Sequence, residues 1–71
     1  MKRILILGAS GFIGQKLVTA LHNIVDFKVT AVVRRHNLML PVENMVLDVL
    51  DTDRLSAVIQ DIDVVINCVA G

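Results

Sequence analysis

The feature that most constrains the fold is the run Gly8-Ala9-Ser10-Gly11-Phe12-Ile13-Gly14, set directly behind the short apolar segment Arg3–Leu7. The segment before it is rich in β-branched and leucine residues and reads as a buried strand ending at glycine. After it, Ile13, Leu17, Val18 and Leu21 recur at helical spacing, with Gln15, Lys16 and Thr19 on the other side. A strand that turns through spaced glycines into a helix has a defined geometry. Gly8 lets the chain leave the strand sharply, Gly11 removes a side chain where backbone faces outward, and Gly14 lets helix and strand pack closely. The first amides of such a helix have no partner within it, and the helix dipole adds positive potential there. The junction therefore suits an anion, and in a strand–turn–helix context the expected anion is the pyrophosphate of a dinucleotide. Ala9, Phe12 and Ile13 contribute backbone to this turn, and Ser10 adds a hydroxyl that can donate to a phosphate oxygen.

The rest of the chain repeats the alternation. The helix runs from Phe12 to about Asn23, with His22 in the last turn and Asn23 able to end it. Phe27–Val33 reads as a second strand, Arg34 to Glu43 as a polar connection carrying the only proline, and Met45–Leu47 as a short third strand. Asp51 or Thr52 can cap a second helix whose Leu55, Val58, Ile59 and Ile62 share one face, and Val64–Val69 is a fourth, apolar strand. Strands alternating with helices predict an α/β class, a Rossmann-type parallel sheet with flanking helices and right-handed crossovers. Its expected strand order is 3-2-1-4. The connection between the second and third strands is short for a parallel crossover, and a single helical turn over His36–Leu40 would complete it.

Composition narrows the function. The chain has 71 residues, at most one small domain, and 55% of them are hydrophobic. That content suits strands covered on both faces, as in the inner part of a larger domain. A 3-2-1-4 sheet ending here leaves the fourth strand as a bare apolar edge. The expectation is that residues 1–71 are the N-terminal part of a nucleotide-binding domain, with further chain or a second chain covering that edge. Seven basic residues balance seven acidic ones, and two phenylalanines are the only aromatics, so neither a nucleic-acid footprint nor a base-stacking platform is present. No apolar run reaches the length of a membrane span. Lys2 and Arg3 before Ile4–Gly14 have the outline of a secretory leader, but the apolar run is only Ile4–Leu7 and no cleavage site follows. The single Cys68 fits a reducing, cytoplasmic setting and reads as a small apolar residue buried in its strand. His22 and His36 lack partners at metal-ligand or triad spacing, and no metal is expected.

The wide first gap, G-x-x-G-x-x-G, and the phrase Ile6-Leu7-Gly8-Ala9-Ser10-Gly11-Phe12-Ile13-Gly14 resemble the short-chain dehydrogenase/reductase superfamily. The likeness is to its extended and atypical branches, the nucleotide-sugar epimerases and dehydratases and the NmrA-like proteins. It extends over the whole chain and implies a bound NAD(P). It also implies that an aspartate of the stretch Asp48-Val49-Leu50-Asp51 reaches the adenine amino group, against the plainer reading of a turn aspartate. Val69-Ala70-Gly71 corresponds to a small-residue stretch passing close to the cofactor ribose. The superfamily's Tyr-x-x-x-Lys catalytic pair has no counterpart, because the chain contains no tyrosine. No catalytic residue is therefore assigned.

The choice of dinucleotide turns on charge. Domains selecting NAD place an acidic residue about 20 positions beyond the glycines, on the ribose 2′-hydroxyl. Here the end of the second strand holds Arg34 and Arg35. A guanidinium attracts a 2′-phosphate and can bind it bidentately, whereas a carboxylate repels it. NADP is the expected cofactor and NAD the alternative. Two function classes follow: a segment of an NADP-dependent oxidoreductase, epimerase or dehydratase, or a non-catalytic NADP-sensing regulator of the NmrA-like type.

Overall fold

The computed structural model describes residues 1–35 and 40–69. The order of elements is β1 (Lys2–Leu7), α1 (Phe12–His22), β2 (Phe27–Val33), β3 (Glu43–Val46), α2 (Thr52–Ile59) and β4 (Val64–Asn67). The strands form one parallel sheet in the order β3-β2-β1-β4. This is the Rossmann-like arrangement expected from the alternation of elements.

The two-residue period of β1 explains the layering. Ile4 and Ile6 face one side, where they join Val29, Ala31, Val33 and, from α1, Val18, with Leu17 and Leu21 packed around them. Leu5 and Leu7 face the other side and meet Val32, Leu47 and, from α2, Leu55 and Val58. A central strand covered on both faces has no polar side to show, which is why β1 is continuously apolar over its buried part, Ile4 to Leu7. Fully burying each such aliphatic side chain stabilises the fold by about 1.5–3 kcal/mol.

Differences from the sequence reading lie at element ends and on helix faces. β3 starts at Glu43, two residues earlier than its apolar character indicates, because Glu43 and Asn44 already pair with Thr30 and Ala31. Its expected last residue, Leu47, lies outside the strand but still donates its N–H to the Val33 carbonyl (3.0 Å). β4 ends at Asn67 instead of Val69; the Cys68 N–H still reaches the Leu7 carbonyl, and the Val69 N–H, which faces away from β1, bonds the Asn67 side chain. Cys68 accordingly sits just past the strand and is half-buried, packing on the α1 side, where full burial within the strand was expected. Asn23 ends α1 as anticipated, its side-chain amide donating to the Thr19 carbonyl. Asp51 caps α2, its carboxylate accepting the Arg54 N–H at 3.3 Å. Ile59 of α2 is exposed, while Ile62 folds back past the helix end onto the core. Ile13 was expected on the buried stripe of α1 but is 67% exposed. It sits in the first turn, at the carboxyl end of the sheet, and nothing covers it among the described residues. The helical turn expected over His36–Leu40 falls largely on residues 36–39, outside the described residues.

Candidate functional site

The site is built at the carboxyl ends of the strands, where parallel α/β sheets bind ligands. Gly8 leaves β1 with φ +71°, a conformation that only glycine adopts without strain. Its N–H and that of Ala9 both donate to the Val32 carbonyl, tying the turn to β2. The Ala9 side chain is fully buried in the α1-side core. Gly11 closes the turn through its N–H to the Gly8 carbonyl (3.2 Å) and stands at the N-cap of α1.

The three glycines have different reasons to be glycine. A Cβ on Gly14 would lie 2.5 Å from the Gly8 carbonyl oxygen and 2.7 Å from Ala9 Cα, so the close packing of helix on turn excludes any side chain. A Cβ on Gly8 would lie 2.9 Å from main-chain atoms of Cys68 and Val69. At Gly11, by contrast, a Cβ would meet only the Gly8 oxygen, at an ordinary 3.5 Å, and its φ of −73° suits any residue. Nothing within the described chain requires glycine there.

The start of α1 is open. Gly11 offers no side-chain cap, the first turn carries no acidic residue, and the amides of Phe12, Ile13 and Gly14 find no acceptor among the described residues. Gln15 turns its side-chain amide back to the Ser10 carbonyl (2.7 Å), stiffening the turn from outside. The Phe12 ring is 75% exposed and lies under the Lys16 ammonium at 4.4 Å, a cation–π contact on the outer surface of the helix. Phe12 and Ile13 thus bring backbone to the junction, and their side chains point away from it.

A cleft of about 400 Å³ opens beside the turn. Gly8, Ser10 and Gly11 form its base, Arg34 at the end of β2 and Asp48-Val49 beyond β3 form one wall, and Val69 beyond β4 forms the other. Residues assigned from four separated stretches of sequence therefore meet around one opening. Arg35 is exposed but does not line it. Ala70 and Gly71 lie outside the described residues. Asp48 takes on the turn role weighed for it, its Oδ1 accepting the Leu50 N–H at 2.9 Å, and it still borders the cleft. The lining also includes Val32, Val33, Leu47, Leu50 and Cys68, which sequence reasoning did not assign to the site. Their signal was positional: each sits at or just past the carboxyl end of a strand.

Among the described residues no cluster of His, Cys, Asp or Glu could hold a metal ion, and no helix is long and apolar enough to cross a membrane.

Solved structures similar to this chain share its architecture. A Rossmann-fold NAD(P)-binding family protein from Shigella flexneri superimposes with a TM-score of 0.85 at 29% identity, over 100% of this chain and 39% of its own. The UDP-glucuronic acid 4-epimerase of Bacillus cereus gives a TM-score of 0.77, both in complex with UDP-glucuronic acid and NAD (31% identity) and in complex with NAD (30%). In each case 96% of this chain and 26% of the epimerase are covered. The chain thus spans well under half the length of these structures. No curated protein matches it. Residues 4–71 match the model of the NAD dependent epimerase/dehydratase family, and with the sheet order and glycine turn in agreement, the chain belongs to that family.

Proposed function

We propose that residues 1–71 form the N-terminal, cofactor-holding part of an NAD(P)-binding domain of epimerase/dehydratase or oxidoreductase type, with the dinucleotide pyrophosphate on the Gly8–Gly14 turn. The observation that carries this reading is Gly11. The fold leaves room for a side chain at that position, so its absence is best explained by a ligand approaching the backbone beside the uncapped amides of Phe12, Ile13 and Gly14. The B. cereus epimerase, whose structure contains NAD, supports a nicotinamide dinucleotide as that ligand.

Each part of the cleft has a task in this reading. The turn amides and the Ser10 hydroxyl hold the diphosphate. Asp48 and Val49 border the adenine, and Val69 borders the ribose on the far side. Arg34, at the rim, supplies the positive charge that selects a 2′-phosphate and so NADP over NAD, with Arg35 contributing long-range attraction. When bound, the dinucleotide supplies hydride transfer to and from a carbonyl or alcohol carbon through its nicotinamide, and these residues hold its adenine, ribose and diphosphate. The chemical step would be performed by groups outside this chain, which has no tyrosine for the superfamily's proton-transfer pair. The exposed Val64 and Val65 of edge strand β4 fit coverage by further chain of the same domain or by a second chain. The lone Cys68 suits a cytoplasmic location.

Titration of the chain with NADPH and NADH, followed by nicotinamide fluorescence, tests the proposal. Saturable binding that is lost when Gly11 is replaced by valine is expected. Absence of binding to either dinucleotide, or binding indifferent to a valine at position 11, would remove the assignment. In the intact protein, turnover of a nucleotide sugar separates an enzyme from a regulator that binds NADP without turnover.

A further inference from the structure

The two side walls of the cleft are held by the same local device. On the β3 side, Asp48 Oδ1 accepts the N–H of Leu50, two residues on. On the β4 side, Asn67 Oδ1 accepts the N–H of Val69, again two residues on, at 2.9 Å. The second case has a consequence that the first lacks. The main chain it fixes is the one packed on Gly8, where an added Cβ would stand 2.9 Å from both Cys68 C and Val69 N. The Cys68 N–H continues the sheet ladder to the Leu7 carbonyl (2.9 Å). The next amide, on Val69, faces away from β1, as alternate amides of a strand do, and is taken up by the Asn67 side chain. β4 stops at Asn67, with the main chain of Cys68 and Val69 still against the glycine turn.

Asn67 is also the one polar residue of an otherwise apolar strand, Val64-Val65-Ile66-Asn67. Its side chain is exposed, so burial does not explain it. A short side chain carrying an acceptor is what an i to i+2 bond to backbone requires, and valine or isoleucine at the same position cannot make it.

We propose that Asn67 is a positioning residue for the dinucleotide. By holding the Val69 main chain against Gly8, it sets the width of the cleft on the side opposite Arg34 and Asp48. This rests on the dinucleotide reading of the cleft and assigns to Asn67 the half of the ligand that lies away from the adenine. Replacing Asn67 by alanine frees the Val69 N–H and lets the wall relax away from the glycine turn, leaving the Arg34 and Asp48 wall as it was.

The test compares the full chain with Asn67→Ala and Asn67→Ser, using whichever of NADPH and NADH binds the parent more tightly, together with its adenine-side fragment (adenosine 2′,5′-bisphosphate or ADP). For Asn67→Ala the dinucleotide affinity should fall about fivefold, the loss typical of one hydrogen bond. Affinity for the fragment should stay unchanged, which also shows that the variant is folded. Asn67→Ser, whose hydroxyl makes the same turn more weakly, should recover part of the loss. If the parent binds neither dinucleotide, the cofactor reading itself falls. If the parent binds and Asn67→Ala binds equally well, or loses fragment and dinucleotide affinity in parallel, the positioning role is overturned.

Discussion

Gly14 and Gly8 are in such close contact that a methyl group on Gly14 would lie 2.5 Å from the Gly8 carbonyl oxygen. The obstacle is backbone on both sides, so no rotamer change relieves it. Alanine in a helix interior normally gains about 1 kcal/mol over glycine. Here the overlap outweighs that gain, and Gly14→Ala should destabilise the chain by about 2 kcal/mol, within the range for overpacked sites. Gly11→Ala has no such obstacle and should cost about 0.5–1 kcal/mol as a poorer cap. The order reverses for ligand binding. Gly11→Ala should weaken dinucleotide affinity about tenfold, or 1.4 kcal/mol. Urea denaturation and NADPH titration of the two variants measure both effects. A Gly11 variant that unfolds as readily as the Gly14 variant would mean that glycine at 11 serves the fold.

Arg34 and Arg35 adjoin in sequence, but only Arg34 lines the cleft. If Arg34 holds a 2′-phosphate as proposed, reversing its charge with aspartate removes a charge-assisted contact of about 1.5–3 kcal/mol and adds repulsion. NADPH affinity should fall at least about tenfold while NADH affinity holds or rises. Arg35→Asp should act only through screened long-range attraction, with a smaller effect that fades as salt is added. Paired titrations at low and high ionic strength separate the two arginines. Equal affinities of the parent for NADPH and NADH would refute the preference.

Much of this molecule was legible because strand and helix periods differ and glycine is conspicuous. Ile4 and Ile6 against Leu5 and Leu7 define two buried faces of one strand, and such a strand needs a helix on each side. The glycine spacing then located the turn from β1 into α1 that borders the cleft. Two things were not legible. Strand ends depend on hydrogen bonds that hydrophobicity does not encode: Glu43 pairs despite its charge, and β4 stops at Asn67 although Cys68 and Val69 continue its apolar run. Depth along a helix is also invisible to periodicity, since Ile13 and Val18 both belong to the apolar surface of α1 yet only Val18 reaches the sheet.

That contrast between Ile13 and Val18 is itself measurable. Val18 is fully buried between α1 and the strands, and its truncation to alanine removes two methyl groups and leaves a cavity, a loss of about 2 kcal/mol. Ile13→Ala removes more carbon from a position open to solvent. Its cost in this chain should stay within about 0.5 kcal/mol, offset by the better helix propensity of alanine. Thermal unfolding of both variants decides the matter. An Ile13 loss as large as that of Val18 would mean that the first turn of α1 is covered in solution.

The β4 edge leads to a prediction about association. Val64 and Val65 are exposed on a strand that pairs with β1 on one side only. Unpaired amides flanked by apolar side chains are a template for adding a further strand, and charge on the edge is the usual means of preventing this. The 71-residue chain should therefore self-associate as its concentration rises. Val65→Lys should suppress association without loss of the fold, because Val65 is already partly in water and its lysine stem can lie along the same surface. Light scattering across a concentration series, with circular dichroism as the check on folding, provides the measurement. If Val65→Lys associates as strongly as the parent, the contact lies elsewhere, and the exposed Phe12 and Ile13 at the start of α1 become the surface to alter next.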